Sequence, residues 1–167
     1  FPTLSVFTII TTLTAGRQWS FEVYNDLLII CNGADAPRKW DGTTLSLLAG
    51  SPPATGAIVC VHSNRVFMIP DNSDTLYWSA LNNEENWTAA GNAGNVEIDP
   101  QNGYPLTAMV SAFGGLGGAE LILTKRNAVY RLQGTAPATY AISDVKASNA
   151  SVGAAGMHGI VYAMNDI

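Results

Sequence analysis

The chain has 167 residues, of which 47% are hydrophobic and only 13% charged, and thirteen acidic against eight basic side chains leave a formal net charge of −5. Ordered proteins carry roughly twice that charged fraction, so a composition this apolar excludes intrinsic disorder. No apolar run reaches the ~18 residues of a membrane-spanning helix, and eight Lys and Arg are too few for a protein that grips nucleic acid by neutralising phosphates.

Sixteen glycines and eight prolines punctuate short apolar runs bounded by Asn, Asp, Gly, Pro and Ser, which is the pattern of strands rather than helices. The first run, at 4–14, alternates Phe7, Ile9 and Leu13 with Thr8, Thr12 and Thr14, as a strand with one buried face does. Further strands are predicted at 19–24, 26–32, 37–41, 43–48, 57–62, 65–70 and 75–80. A short helical turn is expected at 81–87, around Asn82, Asn83, Glu84 and Glu85. Strands follow at 95–98, 105–113, 119–125, 128–133, 139–145 and 159–164, with the glycine cluster at 114–118 as a hairpin between two of them.

A unit repeats along this order. Asp26-Leu-Leu-Ile-Ile-Cys31 precedes Lys39-Trp40-Asp41-Gly42; Asn64-Arg-Val-Phe-Met-Ile69 precedes Leu76-Tyr77-Trp78-Ser79; Glu120-Leu-Ile-Leu-Thr124 precedes Val129-Tyr130-Arg131-Leu132. Each copy is an apolar strand, a turn, and a strand centred on an aromatic residue, and a fourth copy begins at Gly159-Ile-Val-Tyr-Ala-Met164. The step from Ile29 to Phe67 is 38 positions and that from Phe67 to Ile122 is 55. Spacings of about 40–50 residues with about four strands each belong to propeller blades. The fold expected is all-β: about three to four antiparallel blades of a β-propeller, with the ring incomplete. Blade limits fall near 1–50, 51–100 and 101–150, with another blade starting at 151. The chain begins at Phe1 and ends on an apolar run at Ile167, so it is expected to be a piece of a longer polypeptide. Phe67 is expected on a central strand covered on both faces, Trp40, Trp78 and Tyr130 are expected to fill the wedges between blades from outer strands, and Tyr77 and Trp87 are further expected structural positions of the blades.

No catalytic constellation assembles from the sequence. His62 and His158 are far apart, no Gly-x-Ser-x-Gly elbow surrounds any serine, and Cys31 and Cys60 match no metal or redox spacing. The run Gly114-Gly-Leu-Gly-Gly118 lacks the third glycine of a dinucleotide loop. Asp71-Asn72-Ser73-Asp74 offers oxygens without the spacing of an EF-hand loop and reads as a solvated turn. The adjacent basic pairs Arg38-Lys39 and Lys125-Arg126 are expected in exposed turns, where each gives at most a weak, salt-sensitive contact to phosphate. Neither an enzymatic activity nor a cofactor is expected.

Several pieces follow one another in a telling order. They are Gln18-Trp-Ser-Phe21, Asn25-Asp-Leu-Leu-Ile-Ile-Cys-Asn-Gly33, Ala36-Pro-Arg-Lys-Trp-Asp41, His62-Ser-Asn-Arg-Val-Phe67 and Leu76-Tyr-Trp-Ser-Ala-Leu81 with Asn86-Trp87. Gly94-Asn-Val-Glu-Ile98, Leu121-Ile-Leu-Thr-Lys125 and Val129-Tyr-Arg-Leu-Gln-Gly134 continue the series. Over about residues 17–165 this order resembles the propeller-bearing tail nozzle or tail hub proteins of tailed bacteriophages, which include the DNA-stabilising tail proteins of short-tailed phages. The resemblance implies a structural part of the virion tail: a homo-oligomeric ring, usually sixfold, that closes the channel until the genome leaves. Partners implied are other tail subunits and neighbouring adaptor or fibre proteins, with DNA only as passing cargo and no membrane insertion by this segment. The alternative is a carbohydrate-binding propeller module, a lectin or adhesin, using Trp87 beside Asn82 and Asn83.

Overall fold

Short polar turns set the architecture. Asn25 and Asp26 both have positive φ, 50° and 60°, and so do Ser63 and Asn64, at 46° and 56°. Two such residues in succession make the tight turn whose twist matches a β-hairpin, and short polar side chains tolerate it best. A computed structural model describes residues 12–114, 118–145 and 153–160. Among these, twelve strands form: β1 Ser20–Tyr24, β2 Leu27–Cys31, β3 Arg38–Trp40, β4 Leu45–Leu47, β5 Gly56–His62, β6 Arg65–Pro70, β7 Thr75–Trp78, β8 Gly94–Glu97, β9 Leu106–Gly114, β10 Gly118–Lys125, β11 Val129–Gln133 and β12 Ala141–Asp144. They make three four-stranded antiparallel meanders, β1–β4, β5–β8 and β9–β12. The only helical pieces described are single 3-10 turns at Ala89–Gly91, Pro100–Asn102 and Pro137–Thr139.

The protein is all-β, built of three propeller-like blades that do not close into a ring. The first strands gather: β1 lies beside β5, and β5 beside β9. Side chains stitch them together. Ser20 Oγ accepts the Val59 N–H at 3.0 Å, the Glu22 carboxylate accepts that of Val61, and His62 Nδ1 meets Ser111 Oγ at 2.9 Å.

The middle sheet is covered on both faces, which explains its unbroken apolar run. Successive residues of a strand point to opposite faces. Val66 and Met68 therefore pack with Val59 against Ile29, Cys31 and Leu48 of the first sheet side. Phe67 and Ile69 pack with Leu76 and Trp78 against Leu121, Leu123, Tyr130 and Leu132 of the third sheet. Phe67, Trp78 and Tyr140 form an aromatic group there, with Trp78 and Tyr140 edge-to-face at 5.2 Å. In β2, Ile29 and Cys31 are buried while Leu28 and Ile30 are only half-buried, because the described strands cover the first sheet on one face. The outward face of the third sheet mixes the half-buried Val110, Ile122 and Val129 with a polar group, in which Glu120 accepts from Gln133 Nε2 at 2.6 Å and Arg131 reaches Glu120 at 3.7 Å and Ser143 at 3.0 Å. Between the first two sheets the chain turns at Gly50, whose φ is 78°; a Cβ there collides with the Glu85 carbonyl, so only glycine fits.

Four expectations change. Of the strand at 4–14, residues 1–11 lie outside the described residues; 12–14 are not strand, and Thr14 instead donates its N–H and hydroxyl to Asp35 at 2.8 and 3.0 Å. Of that at 159–164, residues 161–164 lie outside as well, and Gly159 closes a turn onto the Gly156 carbonyl. The stretch 81–87 is not helical. Asn82 is left-handed, and the Asn83 and Asn86 side chains accept the N–H groups of Glu85 and Thr88, so side chains capture donors that a helix needs. Finally, Trp40, Trp78 and Tyr130 stand on third strands, not at the outer edge. Trp78 and Tyr130 are buried between two sheets, whereas Trp40 faces the side of the first sheet turned away from the second and stays half-buried.

Truncating the sheet-to-sheet aromatics removes contacts on which two blades depend. Phe67→Ala and Trp78→Ala are each expected to lower stability by about 3–5 kcal/mol. Urea denaturation checks this, with the transition moved to lower denaturant at unchanged slope.

Candidate functional site

The best-developed polar arrangement lies where the second and third sheets meet. β10 ends at Lys125, just after an irregularity in register at Thr124 and Lys125. The Lys125 side chain is 0% exposed, and its ammonium donates to the Asp99 carbonyl at 2.7 Å. Burial pushes the Lys125 pKa down, and the nearby Asp74 and Asp99 carboxylates oppose that shift. Asp99 itself is left-handed, at φ 44°, and its Oδ2 accepts the Tyr130 hydroxyl at 2.7 Å. Burial, with Asp99 beside it, raises the Tyr130 pKa. Asn102 Nδ2 lies 3.4 Å from the same hydroxyl. The turn at 99–102 is thus tied down onto the third sheet. Beside it, between this turn and the one at 70–75, opens a cavity of about 310 Å³ lined by Asn72, Asp74, Pro100, Gly103, Tyr104 and Pro105.

The four basic residues singled out by the sequence do not converge. Lys125, expected in an exposed turn, is instead buried and committed to Asp99, which removes it as a phosphate contact. The alternation running from Leu121 through Leu123 is the signal in the sequence that position 125 turns inward. Arg126 next to it is exposed. Lys39 is half-buried and paired with Glu85 Oε2 at 2.5 Å, a contact that joins the first sheet to the 81–87 loop and holds the Glu85 pKa down. Arg38 is half-buried, with its Nε buried and unbonded.

Trp87 is not an open platform. Its Nε1 donates to the Glu84 carbonyl at 2.7 Å and its ring packs on the core between the first two sheets. Tyr77, in β7, pairs in register with Met68 and Asn95 and is half-buried.

His62 and Ser111 form the one serine–histidine pair described, 49 positions apart in the chain. His62 is buried with its ring edge on Phe67, its Nε2 has no partner, and burial pushes its pKa down. Among the described residues no carboxylate bonds to the ring, so the pair lacks there the third member that activates a serine. Its role here is to bond β5 to β9. Cys31 and Cys60 are free, buried thiols whose pKa values burial pushes up to about 12, so neither is a thiolate at neutral pH. Among the described residues no three His, Cys, Asp or Glu side chains come close enough to hold a metal ion. No model of a known protein family matches the chain, and no curated protein matches it either.

Lys125→Ala leaves the Asp99 carbonyl and the adjacent carboxylates without their cation and is expected to cost about 1–3 kcal/mol. Arg126→Ala, on the exposed side of the same turn, is expected to stay within about 0.5 kcal/mol; thermal denaturation of both variants checks the contrast. His62 supplies a pH dependence. Unfolding restores its ordinary pKa of about 6.5, so the unfolded state binds the extra proton. Stability therefore falls as pH drops below about 6.5 and stops falling on this account below the depressed folded value. His62→Gln is expected to flatten that slope in urea titrations between about pH 8 and pH 5.

Proposed function

We propose that this chain is a structural component of a bacteriophage tail, a nozzle or hub element that forms part of the ring-shaped conduit for genome retention and ejection. The observation that carries this reading is the face of the first sheet that no other described strand covers. Two rows of cross-strand neighbours, Phe21–Ile30–Arg38–Leu47 and Val23–Leu28–Trp40–Leu45, share the face turned away from the second sheet. Phe21, Val23 and Leu47 are 55%, 65% and 57% exposed, and Trp19 stacks on Phe21. Contiguous apolar surface of this kind marks contact with another protein, as a part built into a larger assembly requires. The sparse charge and net acidity suit a wall past which DNA moves without being held. On this reading the partners are further copies in a ring, other tail subunits and a neighbouring adaptor or fibre protein. DNA is only cargo, and the protein resides in the virion tail.

The alternative lectin reading draws no support from Trp87, whose indole is already occupied within the fold. Light scattering on the eluting protein tests the assembly reading. The wild-type chain is expected to associate as concentration rises, and Val23→Asp to remain monomeric with its fold intact by circular dichroism. Negative-stain images of the associated species are expected to show rings. A wild-type chain that stays monomeric throughout counts against the proposal.

A further inference from the structure

The cavity between the turns at 70–75 and 99–105 belongs to none of the roles above, and its construction is that of a binding site. Its walls are fixed by backbone bonds. Asp71 N–H donates to Thr55 at 3.1 Å, Ile98 N–H to Asp74 at 2.9 Å, and Leu106 N–H to Ser73 at 2.9 Å. Thr75 N–H donates to the Ser73 hydroxyl at 3.0 Å. From below, Lys125 and Tyr130 hold Asp99, and with it the 99–102 turn. A site whose shape is set in advance loses less ordering free energy on binding.

The lining is chemically specific. It offers one aromatic ring, one amide, one carboxylate and two proline rings, from Tyr104, Asn72, Asp74, Pro100 and Pro105. Among the described residues, the side chains of Asn72, Asp74 and Tyr104 enter no hydrogen bond within the protein. Tyr104 is 44% exposed, which leaves much of its ring in water. An amide both donates and accepts, a carboxylate accepts two hydroxyl protons, and an aromatic face covers apolar C–H groups. These are the complementary halves of a sugar ring, with hydroxyls on its rim and C–H groups on its face. The charge balance narrows the class. The Lys125 ammonium is buried and bonded to Asp99, so Asp74 is the charged residue in the lining, and it repels anions. The described residues supply no cluster of three metal-ligating side chains for a cation.

We infer that this cavity binds a neutral saccharide, with one sugar ring stacked on Tyr104 and its hydroxyls bonded to Asn72 and Asp74. The inference stands apart from the tail proposal, because it concerns the chain alone and not its assembly. The test is an amide-resolved NMR titration of the 167-residue chain with the methyl glycosides of glucose, galactose, mannose and N-acetylglucosamine. N-acetylneuraminic acid and calcium chloride serve as the competing chemistries. At least one neutral glycoside is expected to give saturable shifts at Gly103 and Tyr104. Tyr104→Ala and Asp74→Asn are each expected to weaken that binding by about tenfold or more, Tyr104→Ala with unchanged melting temperature. Should Asp74→Asn fail to fold, because Asp74 neighbours Lys125, the exposed Tyr104 decides alone. The inference is overturned by the absence of saturable shifts with all four glycosides, by a response to neuraminate or calcium only, or by undiminished binding in Tyr104→Ala.

Discussion

The organising constraint is the two-sided burial of the middle sheet. β5 and β6 send alternate side chains into two separate cores, one shared with the first sheet and one with the third. Val66, Phe67, Met68 and Ile69 are all 0% exposed, so no residue in this run is indifferent to either neighbour. Neither outer sheet has that property. The three blades therefore stand in a dependent relation, with the second held by contacts that only its flanking sheets supply. The hydrogen bonds from Ser20, Glu22 and Ser111 then fix the height at which one blade sits against the next, because apolar contact is non-directional and does not choose a register by itself.

Charge is handled by commitment within the fold. Lys125 is enclosed with carboxylates nearby, and Lys39 and Glu85 close the gap between the first sheet and the 81–87 loop. Such pairs do more to specify geometry than to add net stability, since removing water from charges offsets most of their attraction. The consequence for function is that Lys39 and Lys125 are already committed within the fold, whereas Arg38 and the exposed Arg126 are not.

Strand positions were legible because the signals are local. Asn25-Asp26 and Ser63-Asn64 announce hairpins by residue type, and the apolar run at 66–69 announces cover on both faces. What escaped was either a competition or a long-range meeting. The 81–87 stretch has the polar residues of a helix start, but its asparagines satisfy the backbone themselves. Lys125 looks like a turn residue until the register irregularity and the Asp99 carbonyl are known. The His62–Ser111 pair and the cavity between 70–75 and 99–105 join segments that nothing in the linear pattern connects. The aromatic residues of the repeat were recognisable, but which strand of the blade carries them depends on where the fourth strand pairs, and that is a property of the folded sheet.

The two outer faces of the stack are unlike, one greasy around Phe21 and Val23, the other laced with Glu120, Arg131 and Gln133. That inequality gives the molecule a vector. Back-to-back juxtaposition through the third sheets would set carboxylate near carboxylate and guanidinium near guanidinium, while the opposite side welcomes any flat hydrocarbon surface. On the proposed reading, and for the described residues, contact through the first sheet is consequently favoured over contact through the third, as in masonry where one course carries the wet mortar.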